Sequence, residues 1–308
     1  MHHLEGADLN SAHLEEANLF ESQLERASLR GCQLEEAFLV GAHLEGARLG
    51  MAQMKGASLR GAHLEKTVLN RADLEATDLF AAHLDQALLY GVTWADERHI
   101  SPRLADAQLG NINLALLGWS QVNMLGDEYK ARQKKHDGKS KDQAIRLEEY
   151  EEAIRANRQV AIALREQGMN EHAARFAYRA QVLQKSVLWF QMLQPEVPLR
   201  QRGRALGAWL FSWFLFLLAG YGYKPGRSFL AYLLVIGTFM ALYLLLDPHL
   251  AWYEAIVVSL TAFHGRGFSP STFSPGDPLS IASAVEAFVG LIIEVTFIAT
   301  LTRRFFGQ

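Results

Sequence analysis

Histidines and acidic residues recur at a fixed interval in the early part of the chain. His3, His43, His63 and His83 fall in one twenty-residue register, in which Gln23 takes the remaining place. Each is followed two residues later by an acid: Glu5, Glu25, Glu45, Glu65 and Asp85. If residues twenty apart lie above one another at the strand spacing of roughly 4.8 Å, the carboxylates repel one another. Such a column also raises the proton affinity of the neighbouring imidazoles.

This pattern predicts a face that senses protons or divalent metal ions, made of His43, His63, His83, Glu45, Glu65 and Asp85. The simpler alternative is a solvated face whose regularity reflects duplication of a short repeat. Alanine at the three histidines separates the two, because only a sensing face would lose a pH or metal response.

A second set of ionisable residues lies in an apolar stretch near the C-terminus. Glu286, Gly290 and Glu294 are four residues apart and therefore share one face of a helix. Ionisable residues inside an apolar span are unfavourable and usually face protein or water. The spacing predicts that this face lines a pore in an oligomer. The alternative is that protonated glutamates form hydrogen bonds between subunits.

The element that positions the histidine ladder is a five-residue repeat. Leucine stands at every fifth position from Leu4 to Leu89, replaced only by Met54, and from Leu9 onward a small residue stands two places before each. Neither the helical period of 3.6 nor the strand period of 2 gives this pattern. A four-sided coil places all of these leucines inside. The single cysteine, Cys32, occupies a small-residue position, which predicts a packed thiol and excludes an internal disulfide.

The pattern resembles the pentapeptide-repeat family, which implies a right-handed quadrilateral β-helix over residues 1–125 with stacked turns of four repeats. A lapse at residues 94–100 predicts a loop, after which Leu104, Leu114 and Trp119 keep the register. We expect the last turns to form a capping end.

A charged linker is predicted over residues 126–199. Its first part, 127–141, is rich in lysine and indicates a flexible hinge. Two helices follow, over 142–167 and 171–190, which predicts a helical hairpin that couples the β-helix to a membrane part.

The C-terminal part contains apolar stretches of different lengths. Residues 229–246 and 281–301 are long enough to cross a bilayer, whereas residues 207–219 suit an interfacial helix within 200–227. Basic residues beside these stretches favour two spans over 228–308, with both termini cytoplasmic at the inner (plasma) membrane. The apolar segment 249–263 between the spans is too short to cross, which predicts a re-entrant helix. No secretory signal is visible, so we expect the first hundred residues to stay in the cytosol.

The order outer helix, re-entrant helix, Gly-x-Gly loop and inner helix resembles the subunit of two-transmembrane potassium-type channels. The resemblance implies a selectivity filter or pore loop made of Phe263, His264, Gly265, Arg266, Gly267 and Phe268. It also places Gly290 where such channels often have a hinge glycine. The family's Thr-Val-Gly-Tyr-Gly signature is absent, which puts potassium selectivity in doubt. Arg266 either faces the lumen and favours anions, or lies behind the loop against Glu254 or Glu286.

Two classes of function follow from these patterns. The first is a homo-oligomeric ion channel in membrane lipid, expected to be a tetramer, with permeant ions as its partners and the β-helix as a cytosolic regulatory or assembly domain. The second is a membrane-anchored binding or scaffold protein, for example one whose acidic repeat surface imitates DNA. The sequence lacks a nucleophile–base arrangement or a phosphate-binding loop. We therefore expect no enzyme activity, no cofactor, no resident metal cluster and no nucleic-acid partner.

Overall fold

The computed structural model describes residues 3–136, 139–193, 198–265 and 277–306. The chain divides into two compact units, Met1–Leu206 and Gly207–Gln308, which are described separately below.

The first unit begins with a β-helix built from five-residue steps. Parallel bridges join residues twenty apart, as in His43 with His63 and Arg48 with Val68. The leucines of successive steps are buried in one continuous core, and Cys32 lies among them. Burial raises the pKa of the Cys32 thiol to about 12, so the thiol stays protonated and unreactive at neutral pH. The predicted pentapeptide-repeat β-helix is confirmed.

The predicted loop is also present, and it has a definite length. Bridged residues are twenty apart up to the pair of Asp73 and Thr93, but twenty-five apart from the pair of Asp78 and Arg103 onward. One additional five-residue step therefore leaves the coil in this region, and stacking resumes beyond it. Regular coils end near the 3-10 helix Leu114–Leu116.

The segment after the β-helix is folded rather than a hinge. Helix α1, Gly126–Arg132, is followed by the strands β1, Lys135–His136, and β2, Lys139–Ser140, which pair antiparallel. Asp127 and Glu128 in α1 are each 1% exposed. The prediction of a flexible hinge over 127–141 was therefore wrong for α1, because its acidic side chains are held inside by partners distant in sequence.

A helical hairpin caps the open end of the β-helix. Helices α2, Gln143–Glu166, and α3, Asn170–Leu193, turn at Gly168, whose φ of +77° favours glycine. Val160, Leu164 and Phe176 belong to the same buried core as the β-helix leucines. Both helices were predicted, but their cap role was not, because the last coils had been assigned as the cap.

Backbone groups of the last coil form hydrogen bonds with side chains of α2 and of Gln167, the residue that follows it. The Gln159 side chain accepts the backbone N–H of Asp106 at 2.9 Å. The Gln167 side chain accepts the N–H of Leu114 at 2.9 Å and donates to the carbonyl of Ile112 at 2.7 Å. An uncovered coil would present unpaired backbone groups to other chains, so these contacts protect a strand edge.

Asp127 is a buried charged residue of this unit. Its carboxylate accepts the N–H of Leu104 at 2.7 Å and lies 3.6 Å from the guanidinium of Arg103. Arg103 also pairs with Asp78 and Glu152, so one cation faces three carboxylates. Burial raises the pKa of Asp127 to about 6, against the opposing effects of the Leu104 N–H and Arg103.

We expect Asp127→Asn to flatten the pH dependence of stability between about pH 4 and 6. The folded pKa is raised, so the fold binds this proton more tightly than the unfolded chain. The stabilisation from this proton is fully present below the pKa of Asp127 in the unfolded chain. It is lost as the pH rises through the pKa in the folded protein. Between about pH 4 and 7, the free energy of unfolding of the variant should therefore rise relative to that of the wild type by on the order of 2–3 kcal/mol. Urea unfolding of the full chain in detergent across this range measures the difference, and parallel pH profiles would contradict the assignment.

The second unit contains helices with highly apolar surfaces. They are the greater part of α4, Leu199–Ala219, together with α5, Pro225–Leu246, α6, Trp252–Phe263, and α7, Pro278–Phe306. The segments Gly226–Leu246 and Pro278–Thr302 are long and apolar enough to cross a membrane, with mean hydropathies of 2.4 and 2.0. Only a small share of the most apolar part of each segment is buried within the chain. The predicted short helix between them corresponds to α6, which packs against both α5 and α7.

Candidate functional site

The end of α6 is held tightly against α7. A Cβ atom placed on Gly290 would lie 2.2 Å from the carbonyl oxygen of Phe263, so only glycine allows this approach. Phe263 is 1% exposed and meets the ring of Tyr232 edge-on, with centroids 4.8 Å apart. The final turn of α6 is therefore fixed between the two long helices by backbone and aromatic contacts.

One carboxylate joins the three apolar helices. Glu286 of α7 accepts a hydrogen bond from the Tyr243 hydroxyl of α5 at 2.6 Å and another from the Ser259 hydroxyl of α6 at 2.5 Å. Glu286 is fully buried within its own chain. The predicted pore-lining role does not agree with this position, because side chains of α5 and α6 enclose the carboxylate. Its contacts make it a link between helices.

His264 and Glu294 form a pair at the open end of this region. The His264 Nδ1 atom and the Glu294 carboxylate are hydrogen-bonded, and their side chains are 41% and 37% exposed. Together with Phe263, Gly265 and Phe288, they line a surface cavity of about 320 Å³. Both residues were predicted as site residues, but their contact was not, since thirty residues separate them in sequence.

The predicted filter is described only in part. Gly265 has a φ of +65°, as expected for a glycine that turns the chain at the end of α6. Arg266, Gly267 and Phe268 lie outside the described residues. Of the two carboxylates predicted as partners of Arg266, Glu254 accepts the N–H of Ala251 at 2.9 Å and thereby caps α6. The other, Glu286, is held by α5 and α6.

The histidine ladder of the β-helix forms as the spacing predicts. The rings of His43 and His63 are stacked with centroids 4.8 Å apart and an angle of 3°, and those of His63 and His83 are 4.8 Å apart at 19°. The acids two residues on lie alongside. His43 Nδ1 is 3.4 Å from Glu45, and Glu65 is 3.5 Å from His63 Nδ1 and 3.7 Å from His83 Nδ1.

Two groups on this face have side chains placed for metal coordination. In each, one ligand atom per residue lies within 4.8 Å of the others. The groups are His63, Glu65 and His83, and Glu25, His43 and Glu45. Asp85, the last acid of the predicted face, instead fills the space above Gly110, where a Cβ would lie 2.0 Å from its carboxylate.

A family model matches the repeat region of the chain. The family model described as pentapeptide repeats matches residues 3–35, 22–61 and 57–93, in 8 copies. Comparison with the curated proteins found no match.

Several of the matching solved structures are pentapeptide repeat proteins. One, from the cyanobacterium Cyanothece, is 30% identical over 33% of this chain and 63% of that chain, with a TM-score of 0.29. HetL, involved in heterocyst differentiation regulation in Nostoc, is 29% identical over 36% of this chain and 57% of that one, with a TM-score of 0.30. A thylakoid-lumen protein of Arabidopsis thaliana is 29% identical over 30% and 63%, with a TM-score of 0.25.

The present chain thus spans less than two thirds of the length of these solved chains. The repeat spacing, the stacked coils and the family match agree on the N-terminal region. The chain therefore joins a pentapeptide-repeat β-helix to a helical region with two helices long and apolar enough to cross a membrane.

Proposed function

We propose that the chain is one subunit of a homo-oligomeric ion channel, with four copies around a shared axis and the β-helix as a cytosolic regulatory or assembly domain. The observation that carries this proposal is the position of α6. This helix has twelve residues, too few to cross a bilayer. It nevertheless packs against both long apolar helices and ends at a turn with Gly265.

The exposed surface of the long helices supports a membrane setting. Leu245 is 79% exposed, and Phe288 and Ile298 are 66% and 62% exposed. Contiguous apolar surface of this kind is unfavourable in water and is covered by lipid or by a protein partner. One subunit with two spans cannot enclose a pore, so a channel requires further copies.

Glu294 is the residue best placed to act on an ion. Its side chain remains 37% exposed at a cavity, whereas Glu286 is enclosed. Four copies would form a ring of carboxylates, which attracts cations. The hydrogen-bonded His264 would then modulate that charge. Basic residues such as Arg200, Arg227 and Lys224 favour cytoplasmic termini at the plasma membrane.

We expect the full chain in liposomes to conduct ions, and Glu294→Gln to reduce cation flux at least tenfold. The variant keeps the size of the side chain but removes four charges from the proposed ring. Flux is measured with cation- and anion-sensitive dyes inside the vesicles. Glu166→Gln removes an exposed carboxylate at the end of α2 and serves as the matched control, with flux unchanged.

The same experiment distinguishes the channel from a second candidate function, a membrane-anchored scaffold. An acidic repeat domain and exposed apolar helices suit an anchored binding protein equally well. Fourfold particles in detergent together with flux support the channel. Monomeric particles without flux under varied pH, voltage and tension contradict it and favour the scaffold.

A further inference from the structure

Two imidazoles and one carboxylate converge on a single point of the β-helix face. We infer that His63, Glu65 and His83 bind a divalent transition-metal ion of the Zn²⁺ class. This site lies in the β-helix, and its existence does not depend on ion transport by the apolar helices.

The distances between ligand atoms fit one small cation. Ligand atoms about 2.0–2.1 Å from a tetrahedral zinc ion lie about 3.4 Å from one another. The Glu65 carboxylate oxygen is 3.5 Å from His63 Nδ1 and 3.7 Å from His83 Nδ1. All three ligand atoms lie within 4.8 Å of one another. Small side-chain rotations therefore complete the coordination, and solvent has access to the fourth position.

The backbone holds these ligands in place before any ion binds. His63 and His83 occupy equivalent positions of successive coils, and a parallel bridge joins them. Their rings stack at 4.8 Å, and both Nδ1 atoms approach the carboxylate of Glu65, at 3.5 Å from His63 and 3.7 Å from His83. A site built on stacked coils loses little conformational entropy when it binds its ligand.

The electrostatics of the face also favour a cation. The side chains of His63, Glu65 and His83 are only 35%, 30% and 31% exposed. The second oxygen of Glu65 is shielded from solvent and has no hydrogen-bond partner in the described part of the chain, as is also true of Glu25 and Glu45. Carboxylates stacked in this way repel one another, and a divalent ion at Glu65 would offset that repulsion.

The donor atoms select the class of ion. Imidazole nitrogen suits zinc, copper, nickel and cobalt, whereas calcium and magnesium prefer sites made only of oxygen. The adjacent group of Glu25, His43 and Glu45 offers one imidazole and two carboxylates. We therefore expect it to bind the same ion more weakly, as a second site.

The test is a Zn²⁺ titration of the metal-free full chain in detergent, with a chromophoric chelator as competitor and without a histidine tag. His2 and His3 form another imidazole cluster in the sequence, so both are replaced by glutamine in every protein tested. The reference protein should bind one tight ion. His63→Gln, His83→Gln and Glu65→Gln should each weaken that binding at least tenfold. Co²⁺ supplies a second readout, because its d–d absorption reports imidazole coordination and should be lost in the same variants.

A second column of the β-helix supplies the matched control. His13 pairs with Glu15 at 3.1 Å but has Gln33 and Gln53 in the coils above it, so it offers a single imidazole. His13→Gln should leave the Zn²⁺ affinity unchanged. Glutamine already occupies equivalent positions at Gln23, Gln33 and Gln53, so the substitutions suit the fold. Failure of the reference protein to bind Zn²⁺, or equal affinity in all variants, would overturn the site without bearing on the channel.

Discussion

Replacing Phe176 with alanine should lower the free energy of unfolding of the last coils by about 3–5 kcal/mol. Phe176 is fully buried, and its ring meets Trp119 edge-on at 5.5 Å. Trp119 in turn meets Trp94 at 6.0 Å. These rings fill the open end of the β-helix, so truncation leaves a cavity where the hairpin of α2 and α3 meets the coils.

The measurement is hydrogen exchange of the full chain in detergent, resolved by peptide. In a stack of repeats, each coil contacts only its neighbours, so a defect at one end acts most strongly there. Protection should fall in peptides covering residues 84–124 and remain in the first coils. Phe38→Ala is the matched control, because Phe38 is 53% exposed on the surface of the coils, and its change should be small. Uniform protection in the Phe176 variant would mean that the hairpin does not cap the coils.

The β-helix and its histidine ladder could be predicted because the five-residue spacing fixes each position on the coil. Once Leu24, Leu44 and Leu64 are assigned to the interior, the stacking of His43 on His63 follows without further information. The lapse at residues 94–100 predicted a loop but not its length, which the bridges of Asp73 with Thr93 and of Asp78 with Arg103 give as one additional step.

The cap could not be predicted, because its contacts depend on residues far apart in sequence. Gln159 and Gln167 reach the backbone of the last coil over intervals of more than fifty residues. An amphipathic pattern shows that α2 has a buried face, but not which surface covers it.

The positions of the residues on one face of α7 could be predicted, but their contacts could not. Spacing by four correctly placed Glu286, Gly290 and Glu294 on one side of the helix, where each meets α6 or the residue that follows it. Periodicity does not distinguish a lumen from a neighbouring helix. That distinction depends on the hydroxyls of Tyr243 and Ser259, which approach Glu286 only in the folded unit.

The other large effect is expected for Gly290→Ala, which should destabilise the apolar unit by about 3 kcal/mol. The added Cβ would lie 2.2 Å from the Phe263 carbonyl oxygen and 3.0 Å from its carbonyl carbon. These are backbone atoms, so no side-chain rotation relieves the contact, and the end of α6 must move away from α7. His264 and Gly265 follow directly and would move with it. We therefore expect both lower thermal stability in detergent and loss of any ion flux.

Gly237→Ala in α5 is the matched control for this substitution. A Cβ at Gly237 meets nothing within 4 Å, so the variant gains helix propensity of up to about 1 kcal/mol without a clash. The two glycine substitutions should therefore shift the thermal transition in opposite directions. If Gly290 acted only as a hinge, its alanine variant would change ion flux, whereas the temperature of the thermal transition would stay the same or rise. If stability and ion flux both fall, Gly290 instead acts through the close contact that fixes α6 between the two long helices.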